Sequence, residues 1–138
     1  MDNLSLEDFP LIASDKIRYA DTDRQGHVNN AVFATFLETG RVELLYNKDY
    51  DLLDEGASFV IASLSLNFLD EIVWPGTVDI GTGILKIGNS SIKMHQRLYQ
   101  NENHVATAET IIVQTRNSKS LILTEKTKAL LEKWLLKR

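Results

Sequence analysis

The sequence predicts an α+β domain in which one long central helix is wrapped by an antiparallel β-sheet and a second helix closes the chain at its C terminus. Three observations predict it. From Asn30 to about Asn47, Val32, Phe33, Phe36, Leu37, Val42, Leu44 and Leu45 recur at helical spacing over a wide arc, so the helix is expected to be buried on more than one side. Between residues 59 and 114, stretches of apolar–polar alternation are separated by turn sequences. Near the C terminus, Leu130, Leu131, Trp134 and Leu135 form an apolar stripe that needs a packing partner.

The elements follow in order. Ile17 and Tyr19 alternate with Lys16 and Arg18, the two-residue period of a half-buried strand, and Asp21 and Asp23 stand where that strand ends. The long helix starts next. Asn29 or Asn30 is its N-cap, because an Asn side-chain oxygen accepts from an orphan amide of the first turn. Ala31, Ala34 and Gly40 are small enough for close packing, and Gly40 marks a near backbone approach. Glu38 and Arg41, three residues apart, are expected to pair on the helix surface. Residues 47–58 read as a loop. Phe59 to Phe68 is a strand in which Val60, Ala62, Leu64 and Leu66 point one way and Ile61, Ser63, Ser65 and Asn67 the other.

Trp74-Pro75-Gly76 is a turn leading into Thr77 to Ile87, whose apolar phase changes around Gly81 and Gly83, as a bulge or sharp bend would require. Gly88-Asn89-Ser90 makes a hairpin turn. Ser91 to Tyr99 then sets Ile92, Met94 and Leu98 against Lys93, His95 and Arg97, and after a turn at Asn101 to Asn103 the last strand runs from Val105 to Gln114. These four strands read as a meander. The closing helix, Thr124 to about Lys137, has a capping Thr124, Glu125 in its first turn and Lys137 and Arg138 in its last.

The bulk composition narrows the functional classes. A chain of 138 residues fits one domain spanning residues 1–138. It is 43% hydrophobic and 25% charged, which fits a folded water-soluble domain. A net charge of −4 argues against nucleic-acid binding. With no cysteine, thiol catalysis, disulfides and Cys-based zinc sites are excluded, and His27, His95 and His104 lack compact ligand spacing, so no metal is expected. The N terminus lacks a basic region followed by an apolar run, and no stretch has the length of a membrane span. A cytoplasmic location without membrane attachment is therefore expected.

The chemistry concentrates at the start of the long helix. First-turn N–H groups at the positive end of the helix dipole can hold developing negative charge, and a carboxylate beside a carbonyl docked there can act as base or nucleophile. The plainer role of such carboxylates is to cap the helix. The run DTDRQGHVNN, Asp21 to Asn30, followed by the aromatic-rich helix with Glu38, Arg41, Val42 and Glu43, resembles the signature of the 4-hydroxybenzoyl-CoA thioesterase-like branch of the hotdog-fold superfamily. The later strands are similar to that family's in order, spacing and turn chemistry, so the resemblance covers roughly residues 15–116.

That resemblance implies an acyl-CoA thioesterase of hotdog fold, needing no cofactor beyond the coenzyme A of its substrate. It assigns Asp23, the second acid of the pair, as nucleophile or general base. Asp21 is more simply a cap at the strand end. Gly26 permits close backbone approach, and amides near Asn29 and Asn30 form the oxyanion hole. His27 lines the pocket. In the similar plant acyl-carrier-protein thioesterases an Asp, an Asn and a His alternate; here the positions are Asp23, Gln25 and His27, and Gln25 departs from the pattern. Ser90 and Ser91 match a turn near the pantetheine or nucleotide of coenzyme A, with Lys86, Lys93, Arg97 and Arg116 as candidate cations. Phe59, Val60 and Ala62 are candidates for the acyl pocket. The family also implies a homodimer or dimer of dimers, joined sheet edge to sheet edge with sites at the subunit boundary. The alternatives are an acyl-acyl-carrier-protein thioesterase, a non-catalytic acyl-CoA-binding protein and a hydratase of the same fold.

Overall fold

The computed structural model describes residues 3–137. Its elements are β1 (Leu11–Ile17), α1 (Asn30–Leu45), β2 (Ser58–Phe68), β3 (Gly76–Ile87), β4 (Ser91–Gln100), β5 (Asn103–Arg116), a two-residue β6 (Lys119–Ser120) and α2 (Glu125–Leu131). The strands form one antiparallel sheet in the order β1-β3-β4-β5-β2, with β6 added to β5. This is the α+β hotdog arrangement that the helix and strand patterns predict. Only β3 to β5 are a meander, however: the link after β2 returns the chain to the opposite side of the sheet, leaving β2 at an edge.

The first strand lies earlier than its alternation suggests. It ends at Ile17, and Tyr19–Asp21 coil into a single 3-10 turn that leaves Tyr19 71% exposed. α1 begins where expected, with the Asn29 side chain accepting from the Ala31 amide at 3.0 Å. It buries Phe33, Phe36, Leu37, Gly40, Leu44 and Leu45 against the sheet, whereas Val42 remains exposed. Within one chain the helix is thus covered on one side. Arg41 belongs to the covered side: it is 5% exposed and donates to Gln96 Oε1 at 3.3 Å, so it is not half of a surface pair with Glu38. Gln96 in turn donates to the Leu37 carbonyl and to Thr82 Oγ1.

Two register slips differ from the alternation read in the sequence. β2 pairs with β5 as Ile61↔Ile112 and then Ser63↔Ile111, so Ala62 is an extra residue and the phase inverts there. Ile61 before the bulge and Leu64 after it consequently share the face whose β5 partners, Ile112 and Thr110, are buried. In β3 the slip falls at Leu85, between Ile84 and Lys86, not at Gly81 or Gly83. Those glycines have another cause: a Cβ on Gly81 would lie 2.6 Å from the Phe9 ring, and one on Gly83 would lie 3.0 Å from Leu136. The chain ends cover the outer face of the sheet at these points. His95 and Arg97, which alternation puts on a solvent face, are buried there. α2 is capped by Thr124 but gives way after Leu131 to a 3-10 turn, Glu132–Trp134, and Leu136 N then donates to Ile84 O at 2.8 Å. Lys137 therefore lies past the helix, and Arg138 lies outside the described residues.

Candidate active site

The loop between β1 and α1 is folded by its own polar groups. Asp21 is buried and accepts from the Arg18 backbone at 2.8 Å through its carboxylate, while its carbonyl accepts the Asn29 amide at 2.9 Å. It closes the 3-10 turn and ties the strand end to the helix start, the capping role expected of it. Asp23 closes the next turn. Its Oδ1 accepts from the amides of Gln25 at 2.8 Å and His27 at 3.2 Å, and its backbone N–H donates to His27 O at 2.8 Å. Gly26 supplies the reversal at φ +81°, a conformation that side chains disfavour, and no atom crowds the position of a Cβ there.

The segment from Glu71 to Trp74 braces this loop. Val28 N donates to Ile72 O at 2.8 Å, Trp74 N donates to Gly26 O at 3.2 Å, and His27 Nε2 lies 3.2 Å from Glu71 Oε2. Together the two segments enclose a cleft of about 400 Å³ lined by Asp23, Gln25, His27, Val28, Asn30 and Phe33 on one side and Phe68 to Glu71 on the other. Phe33 and Phe68 meet edge to face at 5.0 Å between ring centroids. Asp70 is fixed at the rim by the Glu71 amide and by Asn103 Nδ2, both at 2.8 Å, and these bonds hold its carboxyl below its ordinary range.

The first turn of α1 is only partly self-satisfied. The Asn29 amide is taken by Asp21 O, that of Ala31 by the Asn29 side chain and that of Val32 by Asn29 O at 2.9 Å. Of the four amides from Asn29 to Val32, the Asn30 N–H has no protein acceptor among the described residues. A carboxylate, an imidazole and an unsatisfied helix-start amide thus open onto one cleft. Such an arrangement can polarise a carbonyl and deliver a base or nucleophile to its carbon.

Of the residues singled out from the sequence, Asp23, His27 and Asn30 line the cleft, Gly26 shapes its loop and Asn29 caps its helix. Ser90 and Ser91 lie apart. They sit at the β3–β4 hairpin, whereas the cleft borders the opposite end of β3, and a 12-residue strand spans about 40 Å. Asp70 and Glu71 were not singled out. Their signal is a pair of acids ahead of the Trp74-Pro75-Gly76 turn, and only the strand pairing brings them opposite Asp23 and His27.

The thioesterase-like superfamily model matches residues 17–138. An acyl-CoA thioester hydrolase from Escherichia coli O6:H1, YbgC, is 25% identical over 101 residues, which cover 71% of this chain and 75% of that protein. Among solved structures, a thioesterase from Thermus thermophilus in complex with coenzyme A and zinc superposes with a TM-score of 0.82 at 28% identity, covering 91% of this chain and 94% of that one. A probable thioesterase from Bartonella henselae superposes with a TM-score of 0.76 at 25% identity, covering 83% of this chain and 98% of that one.

Proposed function

The chain belongs to the thioesterase-like superfamily, and from that premise we propose that it hydrolyses an acyl-CoA thioester to a free carboxylic acid and coenzyme A. The observation that carries the reading is the cleft that Asp23 shares with the unsatisfied Asn30 amide. Two backbone donors hold Asp23 Oδ1, so the carboxylate is oriented with Oδ2 available. As a general base it takes a proton from water, whose oxygen adds to the thioester carbon; as a nucleophile it adds directly, giving an anhydride that water then opens. In both routes the carbonyl oxygen gains negative charge, which the Asn30 N–H and the helix dipole stabilise. Collapse breaks the C–S bond, and the departing thiolate receives a proton from the acid form of the base or from water. His27, braced by Glu71, lines and orients the cleft. Because the oxyanion donor is backbone, Asn30→Ala should retain most activity.

The test is release of free thiol from short, medium, long and aromatic acyl-CoAs by the native protein and by Asp23→Asn. Native turnover on part of the panel, falling on the order of 10²- to 10⁴-fold in the variant, is the expected result. Unchanged turnover in Asp23→Asn would remove Asp23 from the mechanism, and no turnover by the native protein would remove the activity.

We also infer that the working unit is a homodimer joined along β2. That edge strand exposes Ile61 at 49% and Leu64 at 40%, next to the uncovered flank of α1 carrying Val42 and Tyr46. A second chain there also gives Ser90 and Ser91 a route to a cleft they do not reach in their own chain. Light scattering should give twice the chain mass for the native protein and a monomer for Leu64→Glu. Equal masses for the two would refute this interface.

A further inference from the structure

On the outer face of the sheet, away from α1, a buried polar row runs under the N-terminal segment. His95 is 2% exposed, Arg97 is buried, and Phe9 lies parallel to the imidazole with ring centroids 6.1 Å apart and an interplanar angle of 5°. Phe9 rests in the gap left by Gly81, where any side chain would collide with its ring. Residues 4–10 thus form a strap whose apolar anchor is Phe9. Its polar anchor is Arg97, whose Nη1 donates to Leu4 O at 3.3 Å.

The hydrogen bonds define the protonation state of the histidine. A guanidinium N–H can only donate, and Arg97 Nε lies 3.1 Å from His95 Nε2, so that nitrogen must be the acceptor. The proton of the neutral ring is then on Nδ1, which faces Glu109 Oε2 at 3.3 Å. Among the described residues, the charged or titratable groups around the imidazole are Arg97 and Lys93 on its own strand and Glu109 and His104 on β5. The strap side brings Glu7 and Asp8 into the field of the neighbouring Tyr99. Lys93 Nζ shares Glu109 at 3.6 Å, so that carboxylate is already partly engaged by a cation.

We propose that His95 is a proton-operated latch for the N-terminal strap: a proton added at Nε2 removes the acceptor used by Arg97, turns a donor against a donor, and frees residues 4–10 from the sheet. The imidazolium would sit edge-on to a guanidinium in a site with little water, so the Arg97 anchor is lost, and the attraction between the Phe9 ring face and the new charge offsets only part of that cost. Burial, the largest influence on this ring, already disfavours its charged form, in agreement with a latch closed at neutral pH and opened by acid. Glu109 acts in the opposite sense, since its charge favours the imidazolium.

Hydrogen exchange in the peptide covering residues 3–10, corrected for the intrinsic pH dependence of exchange, reads the latch directly. Between pH 7.5 and 5 the native strap should lose most of its protection while the β3 and β4 peptides keep theirs. In His95→Gln, whose side-chain oxygen can still accept from Arg97 but does not titrate in this range, protection should be independent of pH. Glu109→Gln supplies a second test that keeps the histidine: loss of the favourable carboxylate should move opening to lower pH. Constant native protection across the range, or the same acid-dependent loss in His95→Gln, would overturn the latch. So would opening at higher pH in Glu109→Gln.

Discussion

Gly40 shows how much a single missing Cβ decides. A methyl group there would lie 2.5 Å from Thr82 Oγ1, 2.8 Å from Gln96 Nε2 and 2.8 Å from Ile80 Cγ2. Gln96 cannot swing aside freely, because it bonds the Leu37 carbonyl, Thr82 and Arg41 at once. Alanine would gain about 1 kcal/mol of helix propensity. Forcing α1 off the sheet costs typically 1–3 kcal/mol, and here it would also stretch buried hydrogen bonds. Gly40→Ala is therefore expected to lower stability by about 1–2 kcal/mol, seen as a reduced urea midpoint at unchanged slope. A midpoint equal to or above the native one would mean that the helix can lift without loss. The close approach at Gly40 was legible from a glycine amid apolar helix positions. The burial of Arg41 one residue later was not, since nothing local announces that Gln96, 55 residues away, will receive it.

Elements were legible in proportion to how locally they are determined. The N-cap of α1, the turns at Gly88-Asn89-Ser90 and Asn101 to Asn103, and the existence of β2 to β5 follow from side chains acting on their own backbone. Asp23, His27 and Asn30 fall within eight consecutive residues, so their convergence on one cleft was readable too. The other wall, Phe68 to Glu71, arrives by strand pairing and had no such signal. Alternation failed where the ladder slips, because an extra residue such as Ala62 inverts every side chain beyond it while leaving the composition of the strand unchanged. It failed again on β4. His95 and Arg97 alternate as a solvent face should, and their cover, Phe9 and Leu4, comes from the start of the chain. The last helix is shorter than its apolar stripe because the residues after Leu131 gain more by bonding β3 than by continuing the helix, as the Leu136 amide does with Ile84 O.

At the scale of the whole molecule, two of the three histidines tie stability to pH. His95 and His104 are both held below the ordinary histidine value, chiefly by burial; Arg97 acts in the same sense, and hydrogen bonds to Glu109 and to the Ala106 carbonyl oppose it. The unfolded chain therefore takes up protons near pH 6.5, while the folded chain resists them until lower pH. Stability contributed in this way is fully present above about pH 6.5 and declines as the pH falls below it. Asp70 adds to the decline only in stronger acid, since its folded carboxyl titrates below the ordinary aspartate range. Urea denaturation should accordingly give a lower midpoint at pH 5.5 than at pH 7.5. Substituting His95 with Gln should flatten part of that slope, with His104 supplying the remainder. A midpoint that rises on acidification would mean that the folded state binds the extra protons, reversing the sign derived from the buried imidazoles.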